Sequence, residues 1–128
     1  MSFQHKITTA YADETSQPAG TQISIYTGSQ IDGVDTSIPA GSTDLLVAAN
    51  WKQAGIQSQM WSAPDGALTV KINTTTTPPT TLTLAAGQTL TWGHDYTAAN
   101  PVPEDVTALY VTNAGTAAAR FKVRVLTT

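Results

Sequence analysis

The sequence predicts an all-β protein: a single antiparallel β-sandwich of jelly-roll type, with nine or ten short strands, that spans residues 1–128. The chain contains 23 threonines but only eight Glu, Lys and Arg residues in total, and β-branched threonine packs better on a pleated strand than in a helix. Apolar and polar residues alternate in short runs separated by turn residues. Parallel strands would need crossovers of a dozen or more residues, and none is visible.

The first strand is predicted over residues 3–11, with one face formed by Phe3, His5, Ile7, Thr9 and Tyr11. Its alternation makes His5 a partly buried strand residue and not a ligand. A polar loop follows over 13–20 and a second strand over 21–27, and short strand pieces lie between 31 and 38. Residues 45–49 read Leu-Leu-Val-Ala-Ala, and such a continuous apolar run is typical of a strand buried on both faces.

The clearest turn signal is Pro64-Asp65-Gly66, since Pro fixes φ and Gly accepts a positive φ. Alternating runs flank it at 56–61 and 68–72, so we expect a hairpin here. Residues 73–81 read NTTTTPPTT, which is typical of a solvated loop.

The last third of the chain continues the pattern. Short strands are predicted at 82–84 and 90–92, followed by a long loop over 93–105 that carries two prolines. Two further strands, at 106–112 and 118–126, flank a turn at Asn113-Ala-Gly115.

Composition removes most routes to catalysis. Cysteine is absent and only two histidines occur, so there is no thiol nucleophile and little for a histidine metal centre. The sequence contains neither a glycine-rich phosphate-binding loop nor a G-x-S-x-G nucleophile motif. We therefore expect a protein that is not an enzyme and has no cofactor.

Charge and hydropathy also limit the partners. Six basic residues stand against nine acidic ones, so we expect no nucleic-acid partner. No apolar run approaches the ~20 residues of a membrane span, and residues 1–10 lack the apolar centre of a signal peptide. We therefore expect no membrane association.

The acidic residues and His94 offer only weak candidates for chemistry. His94 and Asp95 are adjacent, and neighbours on a strand point to opposite faces, although in a loop they could converge. Asp32, Asp35 and Asp44 lie close in sequence, as do Glu104 and Asp105, but they stand beside Gly, Pro or apolar strands, where Asp serves turns. We predict neither a catalytic residue nor a metal site.

Three tryptophans are candidates for partner binding: Trp51, Trp61 and Trp92. They could form an aromatic platform for a sugar. The alternative is that they anchor the core or an interface, where a large ring buries much area at small entropic cost.

The last strand carries half of the basic residues on one face. Arg120, Lys122 and Arg124 alternate with apolar or small residues. One interpretation is a solvated or edge strand that charge protects from aggregation. The other is a docking stripe for an acidic protein surface.

Several segments resemble small structural proteins of tailed bacteriophages: 31–40 (IDGVDTSIPA), 84–92 (LAAGQTLTW), 105–113 (DVTALYVTN) and 118–126 (AARFKVRVL). The resemblance implies a β-sandwich of the phage particle, and the head decoration, or cement, proteins are the expected type. Such a protein is made in the host cytoplasm, binds the major capsid protein on the capsid surface, often as a trimer, and has no catalytic residues. The alternatives are a tail or baseplate adaptor or receptor-binding module and, in another class, a carbohydrate-binding module.

Overall fold

The computed structural model describes residues 2–12 and 18–128 and contains ten strands in this part of the chain. Their bounds are β1 (Phe3–Ala12), β2 (Pro18–Gly28), β3 (Gln30–Ile38), β4 (Ser42–Trp51), β5 (Ile56–Ala63), β6 (Leu68–Ile72), β7 (Thr81–Leu84), β8 (Gln88–Gly93), β9 (Val106–Asn113) and β10 (Ala119–Thr127). Every strand pair is antiparallel.

Eight of these strands form a jelly roll. One sheet has the order β3-β10-β5-β8 and the other β4-β9-β6-β7. The chain forms one long hairpin whose apex is the loop at 73–80. It consists of four nested strand pairs: β3 with β10, β4 with β9, β5 with β8 and β6 with β7. The hairpin rolls up so that β10 meets β5 and β9 meets β6, which closes two Greek-key sheets over one core. The predicted fold class is confirmed.

The core lies between the two sheets and is centred on aromatic rings. Trp61 is completely buried, and its ring packs against Trp51 and Phe121 with centroids 5.9 and 6.3 Å away. The Trp61 Nε1 donates to Gln59 Oε1 at 2.9 Å, so this polar atom is satisfied inside the core.

The expected hairpin at Pro64-Asp65-Gly66 is wrong, although the turn itself is present. β5 belongs to one sheet and β6 to the other, so the turn is a corner that carries the chain across the sandwich. Asp65 stabilises this corner by accepting a hydrogen bond from the backbone N of Arg120 at 2.7 Å.

The prediction that residues 45–49 are buried on both faces is also wrong. β4 lies at the edge of its sheet and pairs only with β9 among the described strands. Leu45 is 39% exposed and Leu46 is 61% exposed. An apolar run therefore lies on an open sheet edge.

β1 and β2 form a separate two-stranded ribbon, the arm, whose base packs on the jelly roll. Phe3, His5 and Ile7 are half-buried on one face, as predicted, while the residues between them are exposed. The side chains of Thr9 and Tyr11 lie outside the described part. The predicted loop at 13–20 is described only for 18–20, and these residues belong to β2.

Candidate interaction site

The basic stripe of Arg120, Lys122 and Arg124 projects from the solvent side of the β3-β10-β5-β8 sheet (the outer face), because the residues between them are buried in the core. β10 lies between β3 and β5. The edge position is therefore wrong, because the stripe runs along the middle of a sheet, whereas Arg120 and Arg124 are solvent-exposed as the alternative of a solvated strand requires.

The three charges of the stripe are not equally available. The Arg120 Nε donates to Asp35 Oδ1 at 2.8 Å, and this hydrogen bond holds the pKa of the Asp35 carboxyl below its usual range. Within residues 2–12 and 18–128, neither Lys122 nor Arg124 forms an ion pair. Lys122 and Arg124 therefore keep the less compensated charge of the outer face, although Asp35, the register partner of Lys122, acts on both of them electrostatically.

Gly33 allows Arg124 to lie across the neighbouring strand. β3 places Gly33 opposite Arg124, and a Cβ at this position would come within 2.5 Å of the Arg124 Nη1. The missing side chain therefore leaves the guanidinium room on the outer face.

Tyr26 anchors the arm to the jelly roll. Its side chain is 3% exposed, and its hydroxyl donates to Asp95 Oδ1 at 2.7 Å. The His94 ring meets the Tyr26 ring edge to face, with centroids 5.8 Å apart. Burial of the hydroxyl, and then the hydrogen bond to Asp95, raise the pKa of Tyr26 to about 12. His94 and Asp95 do converge in their loop, and what they contact is this anchor.

Gly93 makes room for the anchor. A Cβ at Gly93 would overlap the hydroxyl and ring of Tyr26, so only glycine fits beneath the ring. Local sequence offers no signal for this contact, because Tyr26 and Asp95 are 69 positions apart.

A second contact at the arm base joins His5 to β5. The His5 Nδ1 lies 2.7 Å from the Ser58 Oγ, and Ser58 is completely buried. Burial, and then the positive charge of Arg124, lower the pKa of His5. His5 is thus a partly buried strand residue, as its alternation predicts.

A groove of about 370 Å³, the arm groove, lies between the arm and the outer face. One wall is β1, where five consecutive residues, 4–8, line it. The floor contains Arg124, Met60 and Thr91, which are register neighbours on β10, β5 and β8. The groove therefore runs along β1 and across three strands of the sheet.

A second candidate surface is the side of the sandwich between β3 and β4, both of which are edge strands. A groove of about 630 Å³ there is lined by Leu46, Ala48, Tyr110, Trp51 and Asp32, among others. Trp51 is 4% exposed, and its buried Nε1 has no hydrogen-bond partner within the described residues. This open edge therefore offers apolar contact area beside the unpaired backbone of β4.

The three candidate tryptophans differ in burial and in their contacts. Trp61 and Trp51 are buried, so neither offers a ring face to a sugar, and the core interpretation is confirmed for both. Trp92 is half-buried against the core, and its Nε1 donates to the Ala98 carbonyl at 2.9 Å. The aromatic platform is therefore not assembled from these residues.

The carboxylates singled out in the sequence mostly serve structural contacts. Asp44 pairs with Lys71 Nζ at 3.1 Å, and Asp105 accepts from the backbone N of Gln53 at 2.9 Å. That backbone hydrogen bond lowers the pKa of Asp105. In the described part of the chain, no three His, Asp or Glu residues are grouped as metal ligands.

Across residues 2–12 and 18–128, no helix is long and apolar enough to span a membrane.

The solved structures similar to this chain include two that are distant from it in sequence. No family model matches the chain, and no curated protein does. One similar structure comes from work on Bacillus endospore appendages, described as disulfide-linked pili: identity is 19%, coverage 77% of this chain and 87% of that one, and the TM-score 0.47. Another is the cupin domain of Cnp3 from Schizosaccharomyces pombe: identity is 12%, coverage 98% and 84%, and the TM-score 0.44. At these values neither similarity bears on function.

Proposed function

We propose that this chain is a non-enzymatic structural protein of a bacteriophage particle, of the head decoration type, which binds the major capsid protein on the assembled capsid surface and stabilises it. The resemblance of four segments to small phage structural proteins supports this proposal. The observation that carries it is the apolar, unpaired edge of β4.

An edge of this kind favours a covering partner. Natural sheets protect exposed edges with lysine, proline, bulges or short strands, because unpaired backbone groups bind other strands. β4 has ten residues, and its pairing with β9 is irregular between Ser42 and Leu45 and between Ala48 and Trp51. The segment 45–48 between these irregularities pairs regularly and contains no charge and no proline. With Leu46 61% exposed and the outer backbone edge of β4 unpaired among the described strands, a partner strand or loop would gain both apolar area and backbone hydrogen bonds.

A capsid presents many identical copies of a binding site, so a contact surface of moderate size on this chain is sufficient. A lattice of identical sites lets a weak single contact give a stable coat, since neighbouring contacts reinforce one another. A trimeric arrangement of the chain, which the resemblance implies, would add to this effect.

Binding to particles that lack the protein tests the proposal. We would purify particles from a lysate in which the gene is deleted, add the purified chain and measure the amount that sediments with them. Leu46→Lys places a charge on the β4 edge, and Thr83→Lys is the matched control on β7, the opposite edge of the same sheet. We expect Leu46→Lys to reduce binding about tenfold or more and Thr83→Lys to leave it unchanged. Equal binding by both variants would contradict a role for the β4 edge.

A further inference from the structure

We propose that the arm groove binds an extended acidic segment of a partner protein, which adds to the arm as a third strand along β1. This inference gives the proposed function a second contact and states the chemistry of the partner. It rests on the proposed function only in placing that partner in the particle, because the site itself is defined by residues of this chain.

The first support is the free edge of β1. β1 pairs with β2 on one side, and within residues 2–12 and 18–128 no strand pairs with its other side. The residues along that side, Gln4 to Thr8, line the arm groove consecutively. Side chains of a strand point alternately to its two faces, so five consecutive lining residues are the pattern expected where the edge of β1, with its backbone N–H and C=O groups, borders the groove. An extended peptide pairs with such groups by strand addition.

The second support is the position of the arm on the sheet. Residues that pair with one another across β10, β5 and β8 form rows that cross the sheet. One such row consists of Leu126, Ser58 and Gly93, all of which are buried. The next row is Arg124, Met60 and Thr91, which forms the floor of the groove. The arm therefore covers the first row and leaves the second open beside it, so a segment that pairs with β1 would lie over Met60 as it crosses the sheet.

The third support is charge. Arg124 lines the floor, Lys6 lies on the β1 wall, and Lys122 is the next outward residue of β10. No carboxylate is among the described residues that line the groove. The nearby Asp35 is engaged by Arg120. Arg124 forms no ion pair within the described residues, so an acidic side chain on the added segment would be attracted to it and a basic one would be repelled.

The volume limits the occupant to a short segment. About 370 Å³ lies at the low end of the range for small-molecule pockets. The contact would therefore be of modest affinity by itself and would act together with the β4 edge in a repeated lattice.

The test is selection on an array of random hexapeptides, acetylated and amidated at their ends, probed with the labelled full chain. We expect aspartate and glutamate to be enriched among the bound peptides. The selected peptide should bind Arg124→Gln about tenfold or more weakly, and its affinity should fall with salt concentration. Lys52→Gln is the control, because Lys52 is exposed and does not line the groove.

Backbone methylation separates strand addition from docking by side chains alone. N-methyl groups at the alternate residues that face β1 should abolish binding, while methyl groups at the intervening residues should not. The proposal is overturned by an array without acidic enrichment, by equal binding to Arg124→Gln, or by indifference to methylation. None of these results depends on whether the chain occurs in a virion, so this inference and the proposed function fail separately.

Discussion

Replacing Gly93 with alanine should release the arm from the jelly roll. A Cβ at this position would overlap the ring and hydroxyl of Tyr26, which is the buried anchor of the arm. The ring cannot remain in place, so the hydrogen bond from its hydroxyl to Asp95 is lost together with its burial.

The size of the effect follows from these two losses. Burial of a large side chain contributes about 1.5–3 kcal/mol. A net hydrogen bond adds about 0.5–1.5 kcal/mol. Loss of both corresponds to about 3 kcal/mol, which raises the opening equilibrium of the arm by roughly a hundredfold.

Hydrogen exchange measured by mass spectrometry resolves this opening, because it reports local stability separately for the arm and the sheets. We expect faster exchange in residues 3–8 and 23–28 of Gly93→Ala, with β9 and β10 unchanged. The control is a double-mutant cycle: once Tyr26→Ala has removed the ring, Gly93→Ala should add no further effect. Unchanged exchange in the arm, or full additivity of the two substitutions, would refute this account of the anchor.

Three further predictions concern the core, the open edge and the pH dependence of the arm. Trp61→Ala should lower the free energy of unfolding by about 3–5 kcal/mol, measured by urea denaturation, because the ring is completely buried between two other aromatic rings; a loss below about 1 kcal/mol would contradict this position. Leu46→Thr should change the stability by less than about 0.5 kcal/mol in the same assay, since this side chain is largely exposed, and a large loss would place Leu46 in the core. The pKa of His5 is lowered from 6.5 in the folded chain, so docking of the arm should be fully stable above that pH and weaken as the pH falls below it. An NMR titration of the arm resonances checks this, with His5→Gln as the variant that should lose the dependence.

The architecture could be predicted from sequence because strand periodicity and turn chemistry are local. Alternation at period two places the strands, and the loops at 73–80 and 94–105 fall where Pro, Thr and Gly interrupt it. The number of strands and their antiparallel pairing follow from the same pattern.

Strand partners could not be predicted in the same way, because a turn signal specifies a reversal of the chain and not the sheet that receives it. Pro64-Asp65-Gly66 makes the turn, but β6 pairs with β7 and β9 instead of β5. This pairing depends on the nested roll of the whole chain, in which β3 and β10 meet across most of its length.

Whether a side chain is buried depends on what packs against it in the folded protein. This dependence explains why residues 45–49 were wrongly predicted to be buried on both faces. The apolar composition of this segment predicts burial, but it does not say whether strands of the same chain are placed to bury Leu45 and Leu46. Within the single chain they lie on an edge strand.

The sequence identified part of the candidate site and missed the rest. The alternation of β10 correctly placed Arg120, Lys122 and Arg124 on one face. The arm groove required the packing of β1 against β5 and β10, which joins residues more than 50 positions apart, such as His5 and Ser58. No local pattern specifies that contact.

The proposed role as a structural component of a phage capsid requires that this chain be abundant in purified particles. We would quantify the chain by mass spectrometry against the major shell protein in virions purified from the lysate of its source. We predict a copy number comparable with that of the shell protein. A few copies per particle would place the chain in the tail or baseplate, and its absence from purified virions would contradict the proposed role.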